Sequence, residues 1–353
     1  MKKEDSLSRK SPVMDRRSFL RLSGILGAGL ATSGVVCATA EAVKFDRKTY
    51  KVSRTRLAMG TFVSMTLIHP SRDRAQEAMG RAFEEIDRLS RTLNRFDASS
   101  AVALLNRESL LRDADPVLSA IVARSIHYNR ITGRAFDITV KPVVDLFQQE
   151  FKDGMNTPPD EARLMRALEQ VGSEGLRLKG RSIRFVRPGM GITLDGIAKG
   201  YIVDQASRIL AEHGVKNHLI NAGGDIRTMG HRQDRKPWTV AIQDPQKKKH
   251  YPDIIRMNNG AVATSGNYEV YYDREKMFYH IVNPRTGLSP ALSTSVSVLS
   301  RTAMDADALS TSVFIMNPAP GTRFIDSLPG REALVIDRKG RIFRSSGWRS
   351  VAI

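Results

Sequence analysis

Apolar residues recur at helical spacing in five segments of the chain. In residues 71–94, Ala, Met, Phe, Ile and Leu return every three or four positions, which predicts a long amphipathic helix. The same period predicts further helices at 116–131, 160–170, 199–213 and 304–316. Helices are therefore expected in both halves of the chain.

Alternating apolar and polar residues predict strands, most of them in the second half of the chain. Residues 55–68 are predicted to form a hairpin interrupted at Gly60. Further short strands are predicted around 182–187, 191–194, 217–221, 238–243, 260–264, 278–282, 293–299 and 333–337. Because the strands cluster after residue 180 and do not alternate regularly with helices, the pattern favours an α+β fold over a doubly wound sheet.

The bulk composition is typical of a globular protein. The chain has 353 residues, of which 41% are hydrophobic and 26% charged, enough for one large or two ordinary domains. Beyond the N-terminal segment no run approaches the roughly 18 apolar residues of a membrane span, so no transmembrane segment is predicted in the mature chain. The stretch 153–159, which contains Pro and Gly, is a candidate loop or lobe boundary.

The N-terminus has the features of an export signal. Arg16 and Arg17 precede Ser-Phe-Leu and a weakly apolar, Gly- and Ala-rich stretch over 22–40. The arginine pair resembles a twin-arginine signal, and small residues place a cleavage site after Ala40 or Ala42. The alternative, a buried N-terminal helix, does not explain why both features coincide. We therefore predict a signal over residues 1–40, a mature domain over 41–353, and a periplasmic or cell-envelope location.

Charge and cysteine content limit the partners of the chain. The net charge is +18, of which +4 lies in the first 40 residues, so about +14 remains in the mature chain. Such an excess suits nucleic acid, an anionic membrane or an acidic ligand. The charges are spread, however, and an exported protein rarely meets nucleic acid, so no nucleic-acid partner is predicted. Cys37, the only cysteine, lies in the signal and excludes an intramolecular disulfide.

One hexapeptide carries candidate metal ligands. In the run 306–311, Asp307 and Thr311 are four residues apart and therefore share one face near the start of a predicted helix. A carboxylate and a hydroxyl in this position suit Mg²⁺, which takes few protein ligands and keeps positions for phosphate oxygens. Taken alone, the hexapeptide is explained more simply as an ordinary helix cap.

Three further motifs allow both a functional and a structural explanation. Residues 193–201 run from a short strand through a turn into a helix with Lys199, which is either a phosphate-binding turn or a plain corner. Gly223 and Gly224 allow a flat ligand to approach the backbone, or they form a tight turn. His280, at the end of a predicted strand, is a candidate general base or phosphate donor, or a structural histidine.

Seven short motifs follow one another in a fixed order along the chain. They are Met-Gly-Thr at 59–61, Ala-Phe-Asp-Ile-Thr at 135–139, Gly-Ile-Ala-Lys-Gly-Tyr at 196–201, Asn-Ala-Gly-Gly-Asp at 221–225, Ala-Thr-Ser-Gly-Asn-Tyr at 263–268, His-Ile-Val-Asn-Pro-Arg-Thr-Gly at 280–287 and Ala-Asp-Ala-Leu-Ser-Thr at 306–311. Seven collinear motifs are not expected by chance. This ordered set resembles the ApbE family, the FAD:protein FMN transferases, over roughly residues 54–345.

The resemblance implies an α+β fold of two mixed lobes that bind FAD in the cleft between them. It also implies Mg²⁺-dependent transfer of the FMN moiety of FAD to a threonine or serine hydroxyl of a partner flavoprotein, with release of AMP. The acceptor is expected to be exported or membrane-bound. The implied metal ligands are the side chains of Asp307, Thr311 and Ser310 and the backbone carbonyl of Gly196. The positions that match FAD contacts are Met59, Ala135, Phe136, Asp137, Lys199 and Ile281.

The resemblance also suggests catalytic roles, and it has one departure. Asp307 would act through the metal, Lys199 would add positive charge at the pyrophosphate, and His280 would deprotonate the acceptor hydroxyl or bind phosphate. Many relatives have an aspartate six residues before the lysine, where this chain has Thr193. An aspartate stands instead at Asp195, four residues before Lys199. Thr193 and Asp195 are therefore both candidate cofactor-binding residues.

Three functions are compatible with the sequence. The first is the flavin transferase, and the second is a metal-dependent FAD pyrophosphatase that uses water as the acceptor at the same site. The third is a non-catalytic flavin-binding or flavin-delivery protein of the periplasm. The intact pair Asp307 and Thr311 favours the two catalytic functions over the third.

Overall fold

Eight α-helices and 14 strands make up the part of the chain that the computed structural model describes, residues 41–44, 49–152, 159–246, 251–267 and 281–351. The helices are α1 (Arg72–Leu93), α2 (Ala101–Glu108), α3 (Pro116–Ile131), α4 (Lys141–Lys152), α5 (Glu161–Leu168), α6 (Ala198–Glu212), α7 (Ala303–Ile315) and α8 (Pro318–Asp326). The strands are β1 (Glu41–Lys44), β2 (Tyr50–Ala58), β3 (Thr61–His69), β4 (Leu110–Leu111), β5 (Leu176–Lys179), β6 (Ser182–Phe185), β7 (Asn217–Ala222), β8 (Asp225–Met229), β9 (Trp238–Ile242), β10 (Asp253–Met257), β11 (Gly260–Gly266), β12 (Ser293–Ser300), β13 (Glu332–Asp337) and β14 (Ile342–Arg344). The predicted signal at 1–40, most of the candidate boundary at 153–159, and His280 lie outside the described residues.

A nine-stranded sheet organises the fold. Its strand order is β1-β2-β3-β7-β8-β11-β12-β13-β14, and each neighbouring pair is antiparallel. Two small antiparallel sheets, β10-β9 and β4-β6-β5, accompany it. Helices packed on a largely antiparallel sheet are the α+β arrangement, so the predicted fold class is confirmed.

Two glycine-containing hairpin turns lie against each other in this sheet. Met59 and Gly60 join β2 to β3 with φ of 53° and 70°, and Gly223 and Gly224 join β7 to β8 with φ of 58° and 100°. Two successive positive φ values are the requirement of the two-residue turn that suits a twisted hairpin. A Cβ on Gly223 would lie 2.4 Å from Thr61 Oγ1, so the glycine also allows the two turns to touch.

The main core lies between the large sheet and helices α1, α6 and α7. Helix α1 follows the predicted period, begins after the Ser71 cap and buries an apolar stripe that includes Met79, Phe83 and Ile86. Helix α7 is buried on nearly all sides, which places it at the centre of the molecule. A second core around Trp238 and Ile255 joins the β9–β10 sheet to the large one.

The predicted elements agree with the structure except in a few segments. All five predicted helices form, whereas α2, α4 and α8 were not predicted from the sequence. The strand predicted at 191–194 is wrong: Ile192 bonds to the side chain of Asn106, and Thr193 N donates to Ile138 O, so the segment joins no ladder. Of the strand predicted at 278–282, only residues 281–282 are described, and they form no regular element.

Helices within the described residues are too short or too polar to cross a membrane. The longest of them, α1, has charged residues on its outer face and an apolar stripe on the inner one. That pattern is typical of a helix packed on a protein core.

Candidate active site

Helix α7 carries the predicted metal ligands into the interior. The helix begins after Thr302, whose side chain accepts a hydrogen bond from Asp305 N at 3.2 Å. Asp307 lies in the second turn and is only 5% exposed, and Thr311 follows one turn later on the same face. Both residues line one cleft, so the spacing inferred from the sequence is realised in three dimensions.

The cleft opens to solvent, and the empty space within it and at its mouth is about 760 Å³. It lies between α7, the start of α6, the segment after α3 and the ends of β8 and β11. A cleft in which several polar groups converge is typical of small-molecule and cofactor sites. Of the predicted site residues, it is lined by Ala135, Phe136, Asp137, Thr193, Asp195, Gly196, Lys199, Ile281, Asp307 and Thr311.

Glycines at the start of α6 bring this helix into close contact with α7. The amide of Gly200 donates to Asp307 Oδ2 at 3.0 Å. A Cβ on Gly196 would lie 3.0 Å from Thr311 Oγ1, so a larger residue would crowd the threonine hydroxyl. Gly196 faces Thr311 and Gly200 faces Asp307, which means that the two helices run antiparallel.

Two carboxylates and a lysine share the floor of the cleft. Asp225 Oδ1 lies 3.7 Å from Lys199 Nζ, and Asp225 is almost fully buried. Burial raises the pKa of Asp307 to about 6, although the charge of Lys199 and the hydrogen bond from Gly200 act to lower it. The negative charge of Asp195 contributes to the raised pKa. A cation that enters the cleft would therefore relieve the cost of a buried carboxylate.

Hydroxyl groups surround the other candidate ligands on α7. Ser265, at the end of β11, lies 2.8 Å from Ser310 Oγ and 3.3 Å from Thr311 Oγ1. Ser310 also donates to the carbonyl of Asp307 at 3.0 Å. Ser310 is fully buried and points to this cluster, whereas Thr311 faces the cleft. Ser265 thus connects the strand to both hydroxyls.

The carboxylate of Asp137 is occupied by the protein itself. Oδ1 accepts from the amide and hydroxyl of Thr139 and from the hydroxyl of Ser173, and Oδ2 accepts from Asn129 Nδ2 and Ser173 N. Five donors leave little capacity for a ligand. Asp137 lines the cleft beside Phe136, but its carboxylate holds together the segment after α3. Its predicted FAD contact stays a prediction.

The structure shows where Thr193 and Asp195 lie, the two positions at which the sequence departs from many of its relatives. Thr193 is buried, and its hydroxyl is 3.4 Å from Asp195 N. The Asp195 carboxylate is half exposed in the cleft, with Oδ2 3.5 Å from Nε of the buried Arg95. Arg95 also bonds to Asp145 at 3.0 Å, which orients the guanidinium. Asp195 is thus the carboxylate that this chain presents to the cleft at that position.

Of the three remaining predicted residues, Met59, Ile281 and His280, the structure places one in the cleft. Met59 is in the hairpin turn, packs against the main core and is not among the residues that line the cleft. Ile281 lines the cleft and is 6% exposed. His280 lies outside the described residues, so its role stays a prediction.

The fold brings two residues into the site for which the sequence predicts no chemical role. Asp225 was noted only as the end of the Asn-Ala-Gly-Gly-Asp motif, and Ser265 only as part of Ala-Thr-Ser-Gly-Asn-Tyr. Their motif membership was the available signal. Their approach to α7 depends on the pairing of β7, β8, β11 and β12.

A buried carboxylate, a hydroxyl and a lysine at the start of a helix form an anion- and cation-binding cleft in an α+β protein. The model of the ApbE family matches residues 59–335, and the chain belongs to this family. An FAD:protein FMN transferase of Klebsiella pneumoniae (strain 342) is 28% identical over 344 residues, which cover 94% of this chain and 96% of the relative.

Solved structures agree with this assignment. The ApbE protein of Thermotoga maritima MSB8 has a TM-score of 0.76 and 26% identity, and the match covers 84% of this chain and 97% of that protein. The flavin transferase ApbE from Vibrio cholerae has a TM-score of 0.71 and 26% identity, with 87% and 98% covered. The similarity thus extends over nearly the whole of each solved protein.

Proposed function

We propose that this chain is an FAD:protein FMN transferase that uses Mg²⁺ to move FMN from FAD to a threonine or serine of a partner flavoprotein. The observation that carries the proposal is the arrangement of Asp307 and Thr311 against Gly196 and Lys199 in one cleft. Membership of the ApbE family and the name of its relatives support the same reaction. The set of chemical groups in the cleft suits a pyrophosphate substrate.

The residues in the cleft fit a magnesium ion. Asp307 would supply a carboxylate, Thr311 a hydroxyl, and Gly196, in the segment packed against Thr311, a backbone carbonyl. Within the described ranges no three His, Cys, Asp or Glu side chains cluster as a metal site. Mg²⁺ prefers a few oxygen ligands from the protein and completes its coordination with phosphate oxygens, whereas zinc prefers nitrogen and sulfur ligands. When bound, the ion would neutralise charge on the pyrophosphate.

The reaction exchanges one phosphate bond for another. The acceptor oxygen forms a bond to the phosphorus of the FMN half, the anhydride bond of FAD breaks, and AMP leaves with the bridging oxygen. The proton of the acceptor hydroxyl passes to a base, for which His280 is the sequence-based candidate. Lys199 stabilises the negative charge that develops on the phosphates, and the buried Asp225 keeps the lysine ammonium near the cleft.

We also propose that the protein works outside the cytoplasm. The support is the sequence alone, since the arginine pair Arg16 and Arg17 lies outside the described residues. The acceptor would then be an exported or membrane-bound flavoprotein. Replacing both arginines by lysine should keep the precursor in the cytoplasm, which fractionation and immunoblotting of cells would detect. Unchanged export would contradict a twin-arginine route.

One experiment separates the three candidate functions. The mature protein is incubated with FAD, Mg²⁺ and a candidate acceptor domain, and intact-protein mass and nucleotide products are measured. Covalent FMN on the acceptor with equal AMP supports the transferase. FMN and AMP without an adduct identify a pyrophosphatase, and no consumption of FAD identifies a binding protein. An acceptor with its Thr or Ser replaced by Ala is the matched control.

A further inference from the structure

We propose that Asp204 is a positioning residue for the metal site: from helix α6 it holds the start of α7, and thereby Asp307 and Thr311, in register with the cleft. The presence of a metal in this inference rests on the proposed function. The contacts that position α7 are independent of it, because they are made between described residues of the protein.

Asp204 caps α7 from a different helix. Its Oδ1 accepts from Ala303 N and its Oδ2 from Met304 N, both at 2.9 Å. These amides belong to the first turn of α7, whose N–H groups have no acceptor within the helix. Thr302 serves only the next amide, that of Asp305. One carboxylate of α6 thus accepts hydrogen bonds from two amides that the side chain of Thr302 does not cap.

The capping is reciprocal. While Asp204 of α6 accepts from the first turn of α7, the Gly200 amide in the first turn of α6 donates to Asp307 of α7. The contacts repeat every four residues along α7 and along α6 with the turn that precedes it: Gly196 faces Thr311, Gly200 faces Asp307, and Asp204 faces the residue at 303. On α7 each level is one helical turn from the next, so the three levels form one continuous seam.

The seam leaves little room for α7 to shift. A Cβ on Gly200 would lie 2.4 Å from the carbonyl oxygen of Ala303 and 2.8 Å from Asp307 Cβ, which shows how closely the backbones approach. Arg227 Nε lies 3.6 Å from Asp204 Oδ1, and both side chains are mostly buried. The arginine restrains the carboxylate, and a negative charge at a helix N-terminus is favourable in itself.

Loss of Asp204 should therefore act on the metal through geometry. Without the carboxylate, two part-buried amides lack an acceptor, and the start of α7 loses this link to α6. Asp307 and Thr311 then lose their fixed relation to Gly196, although Asp204 itself does not line the cleft. Residues that orient metal ligands are typically worth about 10–100-fold in metal affinity.

The test uses Mn²⁺ as the probe of the metal site. Binding of Mn²⁺ to the mature protein without FAD is measured by electron paramagnetic resonance for wild type, Asp204→Ala and the milder Asp204→Asn. The matched control is Asp115→Ala, which removes the carboxylate cap of α3, a helix without candidate ligands. We expect Mn²⁺ binding at least about tenfold weaker in Asp204→Ala, an intermediate loss in Asp204→Asn and no change in Asp115→Ala.

Two further measurements distinguish positioning from a general loss of structure. Hydrogen exchange at the amides of Ala303 and Met304 should accelerate in Asp204→Ala more than exchange in α1. In the transfer assay, the Mg²⁺ concentration for half-maximal rate should rise about tenfold, while the rate at saturating Mg²⁺ returns to within about twofold of wild type. Failure of saturating Mg²⁺ to restore the rate contradicts the proposal.

The remaining outcomes are also decisive. Mn²⁺ affinity equal in wild type and Asp204→Ala overturns the positioning role and leaves the proposed function intact. An equal loss of Mn²⁺ affinity in Asp115→Ala overturns it as well, because removal of any helix cap would then weaken metal binding. If the wild-type protein binds no Mn²⁺, the metal part of the proposed function fails and the inference fails with it. Should Asp204→Ala not fold, Asp204→Asn decides by the same measurements.

Discussion

Two aspartates two residues apart on α7 lie in opposite environments. Asp305 faces away from the cleft and accepts from Tyr128 Oη and Arg331 Nε, both at 2.8 Å, and from the Ser300 hydroxyl. Asp307 faces the cleft, where it accepts the Gly200 amide and lies against other charged groups. Both are at most 5% exposed, so burial alone does not distinguish them.

Hydrogen bonding makes the difference between the two carboxylates. Burial raises the pKa of Asp305, but hydrogen bonds from Arg331, Ser300 and Tyr128 outweigh it and leave the pKa below the usual range. At Asp307 burial dominates and the pKa rises to about 6. A buried carboxylate saturated by protein donors stabilises the fold, whereas one with spare coordination capacity is suited to a ligand.

The strongest test of this contrast is Asp307→Asn. The amide keeps the size of the side chain but removes the charge that would hold the cation, so transfer should fall by about 1000-fold or more. The folded protein without metal should be at least as stable as wild type, because a buried charge has been removed. Assays of FMN transfer and thermal unfolding measure the two effects. A variant that keeps near wild-type activity would remove Asp307 from the site.

Asp305→Ala should give the reverse result. It leaves Arg331 and Tyr128 without their shared acceptor, which should lower the free energy of unfolding by about 3 kcal/mol. The folded fraction should retain most of its transfer activity. Urea denaturation and the transfer assay measure both quantities. Ser312→Ala, which removes an α7 hydroxyl that donates to the carbonyl of Ala308 within the same helix, is the matched control and should be nearly neutral.

The two carboxylates should also respond oppositely to pH. In metal-free protein, Asp307 keeps its proton up to about pH 6, whereas the unfolded aspartate releases it near 3.8. The folded state binds more protons in that window, so the stability that this group contributes is lost as pH rises through it, by on the order of 3 kcal/mol at most. Asp305, whose pKa is lowered, contributes stability above the unfolded pKa that is lost on acidification.

Denaturation in EDTA on both sides of this window provides the measurement. As pH rises, Asp307→Asn should gain stability relative to wild type. The destabilisation caused by Asp305→Ala should shrink only at more acidic pH. Parallel stability curves for wild type and Asp307→Asn would contradict the environment described for Asp307.

The smallest expected effect is that of Ser265→Ala. It removes the hydroxyl that links β11 to Ser310 and Thr311 but no candidate ligand. The loss of these hydrogen bonds, about 1 kcal/mol, should raise the Mg²⁺ concentration for half-maximal transfer rate about fivefold. A Mg²⁺ titration of the transfer rate measures it, with Ser265→Thr as the variant that retains a hydroxyl. A loss as large as that of Asp307→Asn would make Ser265 part of the site itself.

Local signals in the sequence account for much of this fold. The apolar period of α1 and its Ser71 cap, and the hairpin turn at Met59 and Gly60, are each specified within a few residues of one another. The segment 191–194 has the burial of a strand, because Ile192 and Leu194 are buried, but its backbone bonds to the Asn106 side chain and to the Ile138 carbonyl instead of a neighbouring strand. Alternation of apolar and polar residues indicates that one face of the segment is buried, but it does not indicate which group the backbone hydrogen-bonds to.

The chain by itself determined the fold class, the family and the spacing of Asp307 and Thr311 on one helical face. Only the tertiary structure decided that Asp137 is occupied by five protein donors and that Asp225 joins Lys199 in the cleft. The physical reason is range: helix periods and turns depend on neighbours within a few residues, whereas the Gly200 amide that meets Asp307 lies 107 residues away. Which groups a buried carboxylate meets is therefore set by packing, and packing decides whether it holds the fold or a ligand.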